Sequence, residues 1–174
     1  MFEIKDRTVR ISVRTLVEFI LQSGDIDSSS GKQSTDAMQA GTRIHKKIQK
    51  SMGSNYQAEV PLSITIPVEY EGVCLELVIE GRADGILDQS KSKESENDPD
   101  IVIDEIKGVY RELSLITEAV PVHLAQAMCY AYIYAIDHEM KQMGVQMTYC
   151  NLETEDVKRF RQTFSSEELE EWFS

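Results

Sequence analysis

Between Leu124 and Ile136 the chain reads LAQAMCYAYIYAI, which is apolar on nearly every side of a helix. A surface helix carries one apolar stripe and one polar face, whereas a helix apolar all round lies in the middle of a fold. The wider stretch from Ala119 to Ile136 approaches membrane-spanning length. It contains Pro121, His123 and Gln126, so a buried helix from about Val122 to Met140 in a soluble domain is the better reading. With 174 residues, 41% hydrophobic and 28% charged, the chain has the size and composition of a single globular domain spanning 1–174.

The other segments supply what must surround that helix. Ser12 is placed to cap a first helix running to about Ser23, with Leu16, Phe19 and Ile20 as its apolar side. Gly24 to Lys32 is rich in Ser, Gly and Asp and reads as a loop. A second helix is expected from about Ser34 to Met52. Met38, Gly41, His45, Ile48 and Met52 form one stripe of it, with Arg43, Lys46, Lys47 and Lys50 opposite. From Tyr56 to Leu87 two runs rich in β-branched residues flank Glu71-Gly72, a hairpin turn. Ile101 to Val109 is a largely buried strand, reached through an exposed hydrophilic loop at 90–100. Strands at Gly144 to Asn151 and Val157 to Phe164 and a short acidic helix from Ser166 to Phe173 complete the chain. This order predicts an α/β (α+β) fold in which helices flank a central mixed β-sheet.

The net charge is −12, which argues against tight, nonspecific binding of duplex nucleic acid by this domain alone, since phosphate neutralisation draws on clustered Lys and Arg. A local basic stripe is compatible with it. The N-terminal MFEIKDRTVRISVR is polar and charged, unlike a signal peptide. Cys74, Cys129 and Cys150 form no C-x-x-C pair, and a reduced, cytoplasmic setting fits them best.

The chemistry concentrates in IVIDEIK. On an extended strand Glu105 and Lys107 point to one face, roughly 6 to 7 Å apart, and Asp104 to the other. Setting a carboxylate beside an ammonium on a hydrophobic strand is costly unless something uses them; a strand-end ion pair is the plainer explanation. Upstream, in IEGRADG, Gly81 and Gly85 bracket Asp84, which permits a sharp bend or close approach by a ligand. Two carboxylates from neighbouring strands can hold a hard divalent cation that contacts phosphate.

An aspartate after a hydrophobic strand, followed by E-x-K on the next, resembles the signature of the PD-(D/E)XK nuclease superfamily. Asp84 takes the place of its acid, with Ala83 where the proline would stand, and Glu105-Ile106-Lys107 matches the second half after a spacing of 105 − 84 = 21. Gln126 and Tyr130 match the Q-x-x-x-Y motif of RecB-like nucleases, and His45 the histidine they carry upstream. The chain is similar in these positions to the CRISPR-associated exonucleases and to the RecB and AddB nuclease domains.

The resemblance implies a restriction-endonuclease-like core and a DNA nuclease, with exonuclease action on single-stranded DNA or DNA ends as the expectation. It implies one or two Mg²⁺ or Mn²⁺ ions held by His45, Asp84, Glu105 and the backbone carbonyl of Ile106. Lys107 would act on the attacking water, and Gln126 and Tyr130 would position the strand. Asp104 serves as an internal control. Arg43, Lys46, Lys47 and Lys50 are either a solvated face or a phosphate track. Many relatives hold an iron–sulfur cluster through four cysteines that bracket the core; with no cysteine before Cys74, no cluster is expected here. Helicases of the DinG or XPD-like class carry such a domain, so a helicase domain or subunit is a candidate partner; no G-x-x-x-x-G-K-[ST] loop occurs in these residues. A catalytically silent nuclease fold that binds DNA or docks a protein is the competing reading.

Overall fold

A computed structural model describes residues 2–22 and 35–174; the loop expected at Gly24 to Lys32 lies outside them. The order is β1 (Phe2–Lys5), β2 (Thr8–Ser12), α1 (Val13–Gln22), α2 (Thr35–Ser51), β3 (Tyr56–Tyr70), β4 (Val73–Asp88), β5 (Ile101–Val109), α3 (Pro121–Asp137), β6 (Gln142–Asn151), β7 (Val157–Ser165) and α4 (Ser166–Phe173). The seven strands form one sheet in the order β1-β2-β4-β5-β6-β7, with β3 paired to β4. The β2–β4 and β5–β6 pairs are parallel and the others antiparallel. The fold is α/β, a mixed sheet flanked by helices.

Helix α3 is the centre of one face. Its Ala127, Tyr130, Ala131 and Ile133 meet Ile79, Ile103, Val145 and Met147 of the sheet, and Val17 of α1 and Leu169 of α4 join the same cluster. Pro121 occupies the first turn, where a missing N–H costs nothing. The helix stops at Asp137, short of the expected Met140, because Glu139 turns left-handed at φ 52° and the Met140 N–H returns to the Ala135 carbonyl. On the opposite face α2 lays Ile44 and Ile48 against Ile106 and Cys150. Among the described residues no helix is long and apolar enough to cross a membrane.

Several expectations need correction. The β1–β2 hairpin was not foreseen: its turn is Asp6-Arg7, both at positive φ, a conformation usually signalled by Gly or Asn. Ser12 does cap α1, its Oγ accepting the Thr15 N–H at 3.0 Å. The buried side of α1 is Val13 and Val17, however, whereas Phe19 is 76% and Ile20 56% exposed. The inner stripe of α2 is likewise rotated: Ile44 and Ile48 are buried, His45 lies at its edge and Met38 is exposed. Glu71 and Gly72 form the expected hairpin turn, both at positive φ. The 90–100 loop is mostly exposed and is organised by Lys93, which pairs with Asp100 at 2.7 Å and reaches the Asp98 carbonyl. Each cysteine is a free thiol, Cys74 exposed and Cys129 and Cys150 buried.

Candidate active site

Strand β4 has three partners for its two edges. β3 runs along one edge from Tyr70↔Val73 to Tyr56↔Leu87, so β2 and β5 share the other. β2 covers Glu76 to Glu80 and β5 covers Gly85 to Asp88. Between them the edge forks at Gly81–Asp84, where β2 ends as Ser12 turns into α1. Opposite the fork, the β3 ladder is interrupted without a change of register: Ala58 pairs Gly85 and Val60 pairs Ala83, but Glu59 between them adopts φ 55° and leaves Asp84 without a partner. Asp84 thus lies in a long, otherwise continuous strand yet has no cross-strand partner on either edge. Backbone groups so released must find other partners.

Side chains supply them. The Asp84 carbonyl accepts from Gln49 Nε2 at 2.9 Å, and the same amide reaches Glu59 Oε1 at 2.9 Å. The Asp84 carboxylate accepts the Ile106 N–H at 2.7 Å, and His45 Nδ1 lies 3.6 Å from its other oxygen. His45 and Gln49 are four apart on α2 and share a face. Gln49 was overlooked in the sequence; its spacing from His45 was the available signal. Because the N–H and C=O of one strand residue point to the same edge, the Ile106 carbonyl also projects into the fork.

The glycines beside Asp84 make no bend, and β4 continues to Asp88. A Cβ at Gly81 would overlap the Tyr130 hydroxyl, and one at Gly85 the Tyr56 hydroxyl. Both glycines admit tyrosine side chains, which the sequence did not reveal.

On the α3 side, Lys107 Nζ lies 3.5 Å from Glu105 Oε1 and donates to Gln126 Oε1 at 3.2 Å. Gln126 is 8% exposed and Tyr130 3%. Burial pushes the Tyr130 phenol up, the Glu105 charge adds to this, and a backbone hydrogen bond from Arg82 opposes it. Glu105 is 2% exposed. Its carboxyl is raised well above the ordinary range, first by burial and then by the charge of Asp84, with Lys107 opposing. Its Oε2 is a buried polar atom with no hydrogen-bond partner, the one such side-chain atom among the described residues.

Two carboxylates near enough to repel, one of them carrying an orphaned buried oxygen, suit a hard cation. Among the described residues no three His, Cys, Asp or Glu side chains are grouped into a ready-made metal shell. Mg²⁺ asks for less: it is commonly held by one or two carboxylates, keeps several waters and takes further oxygens from substrate phosphate. The donors fit such an ion.

Burial also sets a pH dependence. A carboxyl raised in the folded state binds its proton more tightly there than in the unfolded chain. The stability this confers is present at low pH and is lost as pH rises from the ordinary carboxyl value through the folded one. Glu105→Gln is therefore expected to raise the melting temperature of metal-free protein at pH 8 by a few degrees, or about 1–3 kcal/mol. The gain should shrink towards pH 5. Paired melts in EDTA check this, and a difference independent of pH would refute it.

Asp104 points away from Glu105, as expected, but it is no inert control. Its carboxylate is buried and accepts from Tyr56 Oη at 2.7 Å, Thr148 Oγ1 at 2.6 Å and Gln146 Nε2 at 3.2 Å. Gln146 Oε1 in turn accepts from Arg161 at 2.7 and 3.1 Å. Arg43, Lys46, Lys47 and Lys50 are exposed on the outer side of α2, and Lys47 pairs with Glu155 of the β6–β7 turn. The structure gathers His45, Asp84, Glu105, Ile106, Lys107, Gln126 and Tyr130 around the fork and leaves these four cations outside it.

The architecture and the fork define a mixed-sheet α/β protein with an acid pair at a strand junction, Glu105 buried and Asp84 partly so. No family model matches the chain, and no curated protein is significantly similar to it. A solved structure, the crystal structure of SSO0001, is similar in fold: it aligns over 91% of this chain and 68% of its own, with a TM-score of 0.55 and 16% identity. That likeness concerns the fold alone.

Proposed function

We propose that the chain is a metal-dependent nuclease of the PD-(D/E)XK type that hydrolyses phosphodiester bonds of DNA, acting as an exonuclease on single strands or ends. The observation that supports it most is Glu105: a buried carboxylate against Asp84, with Oε2 unpartnered and Lys107 beside it.

In this reading Asp84, Glu105 and the Ile106 carbonyl hold Mg²⁺ or Mn²⁺, with His45 as a further ligand. When bound, the ion acidifies a water and offsets charge developing on the phosphate. Lys107, steadied by Gln126 Oε1, orients the attacking water and neutralises charge. Gln126 and Tyr130 line the α3 wall of the fork; Tyr130, packed on Gly81, positions β4 there more than it touches solvent. Arg43, Lys46 and Lys50 remain available to phosphate at the periphery, and Lys47 once it leaves Glu155. The cysteines suit a reduced, cytoplasmic setting. A helicase domain or subunit is the partner proposed to deliver the strand.

End-labelled linear single-stranded and duplex DNA, incubated with Mg²⁺, Mn²⁺ or EDTA, tests this. Cleavage with either metal and none in EDTA is expected, with mononucleotides or short oligonucleotides released from an end. Binding without metal-dependent cutting would instead favour a silent DNA-binding module.

A further inference from the structure

We propose that His123 is a strand-contacting residue of the same site, its Nε2–H donating to the backbone phosphate next to the one at Lys107, with Arg14 beyond it. This rests on the nuclease reading and extends it, assigning a path along α3 for a single nucleic-acid strand.

Position comes first. His123, Gln126 and Tyr130 are spaced three and four apart, so they share one face of α3. Gln126 of that face holds Lys107. His123 is displaced from Gln126 by roughly 4.5 Å along the helix axis.

The hydrogen bonds then fix the ring. The Tyr149 hydroxyl is fully buried and accepts the Val120 N–H at 2.9 Å, and among the described residues His123 Nδ1, at 3.0 Å, is the one acceptor in reach of its proton. With Nδ1 accepting, a neutral imidazole carries its proton on Nε2. Among the described residues no hydrogen bond takes Nε2, and it is not among the buried unpartnered atoms, so it is open to a ligand.

The surroundings select the ligand. Burial is the main cause that lowers the ring, to about 4, and the two further causes are the cations Lys107 and Arg14. In a chain of net charge −12, the charges that dominate at His123 are both positive. Arg14 is largely exposed, and its Glu18 partner is an exposed i,i+4 pair, a contact worth little and readily exchanged. Lys107, His123 and Arg14 are all donors and offer no acceptor, an arrangement suited to consecutive phosphates.

Binding of a fluorescent single-stranded DNA oligonucleotide in EDTA, across a salt series, tests this. His123→Ala is expected to weaken binding about tenfold, the worth of one hydrogen bond to a charged group. The salt slope should stay at the wild-type value, because a neutral donor displaces no counterion. Arg14→Gln should flatten that slope by about 0.7. His123→Gln, whose amide nitrogen stands near Nε2, should recover most of the affinity; a structural role would predict no such recovery. If His123→Ala does not fold, the contrast between His123→Gln and His123→Phe decides. Wild-type protein that cuts, with variants that bind equally well, would overturn this inference alone. Wild-type protein that binds a strand through His123 but never cuts would overturn the nuclease reading alone. Wild-type protein that binds no strand in EDTA would overturn this inference, and if it also fails to cut with Mg²⁺ or Mn²⁺, the nuclease reading with it.

Discussion

Lys107→Ala is expected to all but abolish metal-dependent cleavage, by a factor of about 10²–10³, while the protein stays folded. Orienting a nucleophile and stabilising charge in a dry site is worth about 3–4 kcal/mol from one donor. Among the described residues Lys107 is the one cation paired with Glu105, at 3.5 Å, and its ammonium also donates to Gln126. Stability should change little: the side chain is partly exposed, and Glu105, already raised, takes up a proton when its neighbour is lost. Single-turnover cleavage with Mn²⁺, alongside a thermal melt, separates the two effects. Activity within tenfold of wild type would refute the role assigned to Lys107.

Asp104→Ala is the opposite case, a large loss of stability from a residue outside the site. Removing the carboxylate strands three donors in the interior: the Tyr56 and Thr148 hydroxyls and the Gln146 amide. Each unpaired buried group costs about 1–3 kcal/mol, partly relieved by rearrangement or water. A total of about 3–5 kcal/mol is expected, or roughly 10 °C in melting temperature for a chain of this size. Asp104→Asn should lose less, because its oxygen still accepts two donors. A melt within 2 °C of wild type for the alanine variant would show that the network carries little weight.

The contrast between these neighbours shows what alternation along a strand reveals. Period-two reading separates Asp104 from Glu105 correctly, because the faces of a strand are dictated by backbone geometry. It says nothing about what waits on each face. Tyr56, Thr148 and Gln146 arrive from β3 and β6, far along the chain, and turn a supposed control into a buried hub. The gathering of His45, Asp84, Glu105, Lys107, Gln126 and Tyr130 was expected only through the resemblance of their order to the nuclease motifs; strand and helix periods alone say which residues share a face within one element. The glycines around Asp84 suggested a bend or the close approach of a ligand, whereas what approaches them are tyrosines from distant segments. Helix α1 misled for another reason: Phe19 and Ile20 are apolar yet exposed, since hydrophobicity does not say which stripe of a short helix a sheet will cover. The β1–β2 hairpin escaped notice because Asp6-Arg7 lacks the glycine that announces such turns.

The break in pairing around Asp84 has a dynamic consequence. Strand interiors normally protect their amides for longest, since exchange there demands cooperative opening. Here Asp84 and Glu59 stand opposite each other inside the two longest strands without forming a ladder pair. Deuterium should enter at this seam sooner than at Val78 or Leu87 on either side, as if a loop had been set inside the sheet. An ion drawing Asp84 and Glu105 together would slow that uptake, and the sheet would then report occupancy of the fork without any turnover.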